Sequence, residues 1–282
     1  MAGLSALAGR LLVPDRDLWF RPTLYVTQGH WGEGTSADLV VTAFTQQKYD
    51  PDPMRLGVST WRRAADVALP TRVKSSANYV GARLARIEVH RLGYDDAVLL
   101  NDAGRIAEAT GACILIADRK GIATPPTSEG CLDSITLDAL ELIARDMGLT
   151  FERRPIERTE LLAADECGIA GTISELTLVQ EVDGFRFGLS GLLSQVRRRY
   201  LEIMRGEAAL PGVDLVPLIG GKGTPGSGML QGAVPANLPR AIAREWTIVG
   251  TVMSASGDDL SGKPSRYRDS CQAHKRSQTS RS

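Results

Sequence analysis

Four short stretches carry side chains whose type and setting could do chemistry. Lys74 lies in Thr71-Arg-Val-Lys-Ser-Ser-Ala-Asn-Tyr79, between a strand-like segment and a helix start. Its primary amine is either available for covalent chemistry or simply a solvated surface charge. Glu108 follows a hairpin and precedes Ala109-Thr-Gly111, where a carboxylate can manage a proton or merely cap a turn. Ser134-Ile-Thr136 opens a helix, whose free N–H groups and dipole favour an anion, although plain N-capping by Ser134 uses the same residues. Gly171-Thr172 follows a strand, and such dipeptides are common. None of the four is specific alone.

The elements that must position them are legible from periodicity. Leu56-Gly-Val-Ser-Thr-Trp61 is strand-like, and the spacing of Val80, Leu84, Ile87 and Leu92 predicts a helix over 78–92, ended by Gly93. Ala97-Val-Leu-Leu100, Ala112-Cys-Ile-Leu-Ile-Ala117 and Cys167-Gly-Ile-Ala170 read as apolar strands, with Asn101-Asp-Ala-Gly104 as a turn. Ile135, Ala139, Leu142 and Ile143 form a helical stripe stopped by Gly148, and 192–204 is a further amphipathic helix. Upstream, Leu18-Trp-Phe-Arg-Pro-Thr-Leu-Tyr-Val26 and Asp38-Leu-Val-Val-Thr-Ala-Phe44 are strand candidates flanking a Gly-rich run, and Pro22 makes the first an edge or bulged strand. The prolines of Lys48-Tyr-Asp-Pro-Asp-Pro53 mark a linker.

Composition narrows the class. The chain has 282 residues, with Lys+Arg 33 against Asp+Glu 33, and this neutrality argues against a nucleic-acid or anionic-membrane partner held by bulk charge. No run approaches the roughly 18 apolar residues of a spanning helix. Cys113, Cys131, Cys167 and Cys271 form no CxxC pair, and His30, His90 and His274 lack ligand spacing, so neither a disulfide framework nor a metal site is expected. The opening residues lack a basic n-region, which leaves the reduced cytoplasm as the expected location.

Taken in order, the motifs are specific. Lys74-Ser-Ser-Ala-Asn-Tyr79, Gly93-Tyr-Asp-Asp-Ala-Val-Leu-Leu100, Gly104-Arg-Ile-Ala-Glu108-Ala-Thr-Gly, Thr124-Pro-Pro126, Ser134-Ile-Thr136, Ala164-Asp-Glu166 and Gly171-Thr-Ile-Ser-Glu175 resemble the fold-type IV pyridoxal phosphate (PLP) aminotransferases. Within that class the sequence resembles the branched-chain amino acid aminotransferases, over about residues 18–206. The resemblance implies an α+β protein of the class IV aminotransferase fold. It divides the chain into a truncated small α/β domain (1–47), a linker (48–54), a larger pseudo-barrel PLP-binding domain (55–206) and a low-complexity, disordered tail (207–282). A short helix is expected within that tail, around 238–246. The resemblance also implies small-domain strands ahead of Leu18 that this sequence does not contain.

It further implies roles. Lys74 matches the lysine that bonds to the cofactor aldehyde and then carries a proton, for which its amine must be neutral, a form that burial beside the cofactor favours. Glu108 matches the carboxylate that keeps the pyridine nitrogen protonated, and Tyr79 the tyrosine that hydrogen-bonds the ring's phenolate oxygen. The phosphate is expected on Ile135, Thr136 and Thr172, with Leu132 against a ring face. Ser134 and Leu137 stand where the family commonly has Gly and Arg.

For substrate, Leu18-Trp-Phe-Arg-Pro22 resembles the family's aromatic-x-Arg-Pro strand, with Trp19 in place of tyrosine and therefore only an indole N–H to donate. Arg21 could pair with a second carboxylate, such as that of glutamate, and Thr172 and Ile173 complete the expected substrate contacts. The implied reaction is transamination of Leu, Ile or Val with 2-oxoglutarate by a homodimer or larger homo-oligomer. Two alternatives remain at this point: a D-amino acid aminotransferase or aminodeoxychorismate lyase of the same fold, and a non-catalytic remnant. Val26-Thr-Gln-Gly29 stands where the former resemble a Thr-Arg-Gly pattern.

Overall fold

Alternating side chains explain the first unit of the chain. The structure, a computed structural model, describes residues 2–12, 16–30, 32–47 and 51–216; the tail from 217, with the helix expected around 238–246, lies outside the described residues. Helix α1 (Ala2–Leu11) packs on an antiparallel hairpin of β1 (Arg16–His30) and β2 (Glu33–Gln47). Leu18 pairs with Thr45, Phe20 with Ala43 and Pro22 with Val41. Opposed residues share a face, and Leu18, Phe20, Val41 and Ala43 pack with Leu4 and Ala8 of α1. Trp19 and Arg21 therefore stand on the other face. Both strands run longer than their β-branched cores suggest. Among the described residues each has one free edge, where a proline without an N–H is tolerated.

The second unit begins with β3 (Met54–Arg62), directly after the proline-marked segment. There follow α2 (Tyr79–Arg91), β4 (Asp96–Leu100), β5 (Ile106–Ala109), β6 (Cys113–Asp118), β7 (Gly121–Thr124) and α3 (Ile135–Asp146). The chain continues through β8 (Phe151–Arg153), α4 (Arg158–Ala163), β9 (Glu166–Gly171), β10 (Glu175–Val182), β11 (Phe185–Arg186) and α5 (Leu192–Met204). The strands form one sheet in the order β5-β4-β3-β10-β9-β6-β7-β8, with β11 paired to β10.

That order forces the sheet to curl. Four strands separate β5 from β6, which in a flat sheet would be about 24 Å apart. The link from Ala109 to Cys113 spans at most about 15 Å, and the Ala109 amide donates to the Ala112 carbonyl at 2.8 Å. The curled sheet is buried on both faces, so β4 and β6 read as continuous apolar runs. Val98, Leu100, Ile114 and Ile116 point into the curl with Leu56, Ile169 and Val179. Alternate residues point outward: Ala97 and Leu99 meet α2, while Cys113, Leu115 and Ala117 meet α3 and α5. The packed chain also continues past 206, because Leu210 is buried in the same core as α3 and α5 and Val213 packs beside it.

Candidate active site

Glu108 is the centre of the site. It pairs with Leu99, whose side chain faces α2, so the carboxylate emerges on that side of the sheet. It is 8% exposed. Its Oε1 lies 2.8 Å from Arg63 Nε, and its Oε2 accepts the Leu132 amide at 2.9 Å. Burial pushes the carboxyl above the ordinary carboxylate range, against the opposing pull of Arg63, the Leu132 amide and Lys74. A carboxylate has about four acceptor positions, so two partners leave it able to accept another donor.

The loop between β3 and α2 carries Lys74. Thr71 is buried and sends both its amide and its hydroxyl to Asp66 Oδ1 at 3.1 Å, which folds the loop back on itself. Ser75 caps the short turn Ser76–Asn78, accepting the Ala77 amide at 3.3 Å. The Asn78 side-chain amide donates to the carbonyls of Pro70 and Val73, at 3.0 and 2.9 Å, and fixes the residue immediately before Lys74. Lys74 stands near enough to favour the charged forms of both Glu108 and Cys113. Its side chain is exposed, because the loop places it at the rim and Glu108 at the floor. Tyr79 is half-buried at the first position of α2, and its hydroxyl has no hydrogen-bond partner among the described residues.

The opposite wall is the entry to α3. Gly130 adopts φ +92°, a left-handed turn that L side chains rarely enter, and its carbonyl accepts from Arg63 Nε at 3.0 Å. Leu132 is half-buried, and its carbonyl accepts the Cys113 thiol at 3.9 Å. Ser134 is the N-cap, taking the Leu137 amide at 3.4 Å. The amides of Ile135 and Thr136 have no partner among the described residues, which leaves the helix N-terminus open to an anion. Leu137, where the resemblance leads one to look for arginine, is buried in the core under α3. Thr172 and Ile173 are exposed in the turn after β9, and Gly171 brings that turn against Gly111 and Ala112 at the start of β6.

An exposed amine, a buried carboxylate and unpaired helix amides form a donor set that fits a phosphorylated pyridine aldehyde. Lys74, Glu108, Leu132 and the entry of α3 thus belong to one cluster. Trp19 and Arg21 lie on the hairpin instead: Trp19 is half-buried opposite Phe44, and Arg21 is exposed with no side-chain ion pair among the described residues. Sequence reading missed Arg63 and Cys113. Nothing local marks Arg63, which follows β3 as one of two adjacent arginines, and only the folded pairing reveals it.

The profile of amino-transferase class IV matches residues 12–182. This chain belongs to the class IV aminotransferases. It is 32% identical over 183 residues to a protein described as a probable branched-chain-amino-acid aminotransferase of Synechocystis sp., covering 62% of this chain and 59% of that one. The crystal structure of the branched-chain aminotransferase from the archaeon Thermoproteus uzoniensis with norvaline matches with a TM-score of 0.65 and 31% identity, covering 67% of this chain and 65% of that one. The branched-chain amino acid aminotransferase of Thermobaculum terrenum in its PLP form matches with a TM-score of 0.62 and 29% identity, covering 68% and 65%. The chain thus spans about three fifths of the length of such sequence relatives. Among the described residues no helix is long and apolar enough to cross a membrane.

Proposed function

We propose that this chain catalyses PLP-dependent transamination of the branched-chain L-amino acids Leu, Ile and Val with 2-oxoglutarate, giving the branched 2-oxo acids and glutamate. The supporting observation is the approach of Lys74 to a buried Glu108 beside the unpaired amides of α3, in a class IV aminotransferase fold. When bound, PLP supplies an aldehyde carbon and a ring that draws electrons from the substrate's α carbon. Lys74 Nζ takes up the proton released from that carbon and gives it back. The Glu108 carboxylate holds a proton at the pyridine nitrogen, and the Tyr79 hydroxyl serves the ring's phenolate oxygen. The amides of Ile135 and Thr136, with Thr172, hold the phosphate, and Leu132 covers a ring face. Trp19, Arg21, Thr172 and Ile173 receive the substrate, with Arg21 directed to the second carboxylate of glutamate.

The same reading assigns 1–47 to a small domain and 55–206 to a large one. It extends to a homo-oligomer, supported by the exposed Leu24, Val26 and Leu39 of the hairpin, and to the cytoplasm, supported by the free thiols of Cys113, Cys131 and Cys167. Incubation with PLP should give a near-ultraviolet or visible absorption band. Borohydride reduction and peptide mapping should then leave a phosphopyridoxyl group on the peptide containing Lys74. Labelling elsewhere, or turnover of D-amino acids in place of L-leucine, overturns the proposal.

A further inference from the structure

We infer that Arg63 is the positioning residue of this site, holding the Glu108 carboxylate and the loop of Lys74 in one register through a single buried guanidinium. The inference rests on the proposed roles of Lys74 and Glu108. Arg63 is 6% exposed and touches three separate segments. Its Nε lies 2.8 Å from Glu108 Oε1 on β5 and donates to the Gly130 carbonyl at 3.0 Å, ahead of α3. Its Nη1 donates to the Asn78 carbonyl at 3.3 Å, at the entry to α2. Asn78 in turn holds the Val73 carbonyl, one residue before Lys74. One path of polar contacts therefore runs from the carboxylate to Val73, the residue before the lysine, with arginine at its junction.

Only arginine suits this junction. Its planar fork donates in several fixed directions, whereas an ammonium is a compact point charge. Charge matters as much as reach. The cations facing Glu108 are Arg63 and Lys74, and the thiols of Cys113 and Cys131 lie close enough to feel its charge. Burial alone favours the protonated carboxyl, which is neutral and could not pair as an anion with a protonated ring nitrogen. Arg63 opposes that tendency while fixing where the oxygen points.

Two measurements test this. In the full chain without PLP, a carbon-13 carboxyl titration follows Glu108, identified by the signal lost in Glu108→Gln. Arg63→Met should move its protonation to higher pH by about 1 unit or more; an unchanged titration overturns the inference. With PLP and an amino acid, Arg63→Met should slow the single-turnover half-reaction about 100-fold. The rate should also fall as pH falls through the new ionisation. Arg63→Lys should recover the wild-type pH profile but not the full rate; a rate equal to wild type in both variants overturns it. Should Arg63→Met not fold, as judged by circular dichroism, Arg63→Lys carries the test through Lys74 trapping by borohydride. Reduced trapping supports the inference and equal trapping overturns it. A wild-type chain with no PLP bond at Lys74 refutes the proposed function instead, and the Glu108 titration still decides the part played by Arg63.

Discussion

The carboxylate of Glu166 occupies the space that a side chain at Gly191 would need: a Cβ added there would stand 1.9 Å from Glu166 Oε1. Gly191 is the N-cap of α5 and has no side chain to offer. Glu166 supplies the cap from 25 positions upstream instead, accepting the amides of Leu192 and Leu193 at 2.6 and 3.1 Å. An anion there also suits the helix dipole. Glu166→Ala should cost about 1–3 kcal/mol. Gly191→Ala should cost a similar amount by expelling the carboxylate, and much less in the Glu166→Ala background. Chemical denaturation of the four proteins tests this, and equal costs of Gly191→Ala in both backgrounds refute the shared cap.

Glu108→Gln should keep the fold and bind PLP but lose roughly 100-fold or more in transamination, comparable with removal of one strong electrostatic stabiliser. A neutral amide cannot hold a proton on the ring nitrogen. Steady-state turnover at saturating leucine checks it, and near-normal turnover would mean that Glu108 only braces Arg63 and Leu132.

Asp96, at the start of β4, gives a pH signature. Burial raises its carboxyl above the ordinary value of 3.8, despite Thr110, the Ala97 amide, Arg86 and His90. A group raised in the folded state contributes stability that is present below the ordinary value and lost as pH rises through the folded one. Asp96→Asn removes this dependence while its amide oxygen can still accept from Thr110 and Ala97. The melting temperature of the variant relative to wild type should therefore fall on going from about pH 7 to about pH 4. Parallel curves from scanning calorimetry would sink the assignment.

Leu210 buries its side chain beyond α5. A chain ending at 206 should be about 2 kcal/mol less stable than one ending at 216, since it gives up most of a buried leucine. Urea denaturation of the two truncated chains decides the point; equal midpoints would show that 207–216 packs too loosely to matter.

Much of the site was legible because its parts are local. The segment between strand and helix that presents Lys74 and the cap at Ser134 each lie within one short window of sequence, whereas Glu108, read as following a hairpin, lies on β5. What escaped was long-range. Arg63 gains its meaning only from Glu108, Gly130 and Asn78. Glu166, seen in the sequence only within a motif of the resemblance, caps a helix 25 positions downstream. Strand β10 was hidden because its apolar positions are interrupted by Thr177, Gln180 and Glu181, and its parallel neighbour β3 is remote in sequence. Helix α1 forms from a mildly apolar stretch because Leu4 and Ala8 find Leu18 beneath them. The hairpin strands were read short because their ends are polar or Gly-rich and pair by register alone.

The three buried thiols turn the protein into its own clock. Burial pushes Cys113 and Cys167 up to about 12 and Cys131 up as well. A thiol reagent acts on the thiolate and needs access, so each of these sulfurs is silent until its surroundings part. Cys167 sits inside the curl, while Cys113 and Cys131 line the entry to α3. Their separate labelling rates therefore time two different openings, one of the sheet and one of the wall beside Glu108. A ligand seated against that wall would slow the second clock and leave the first running.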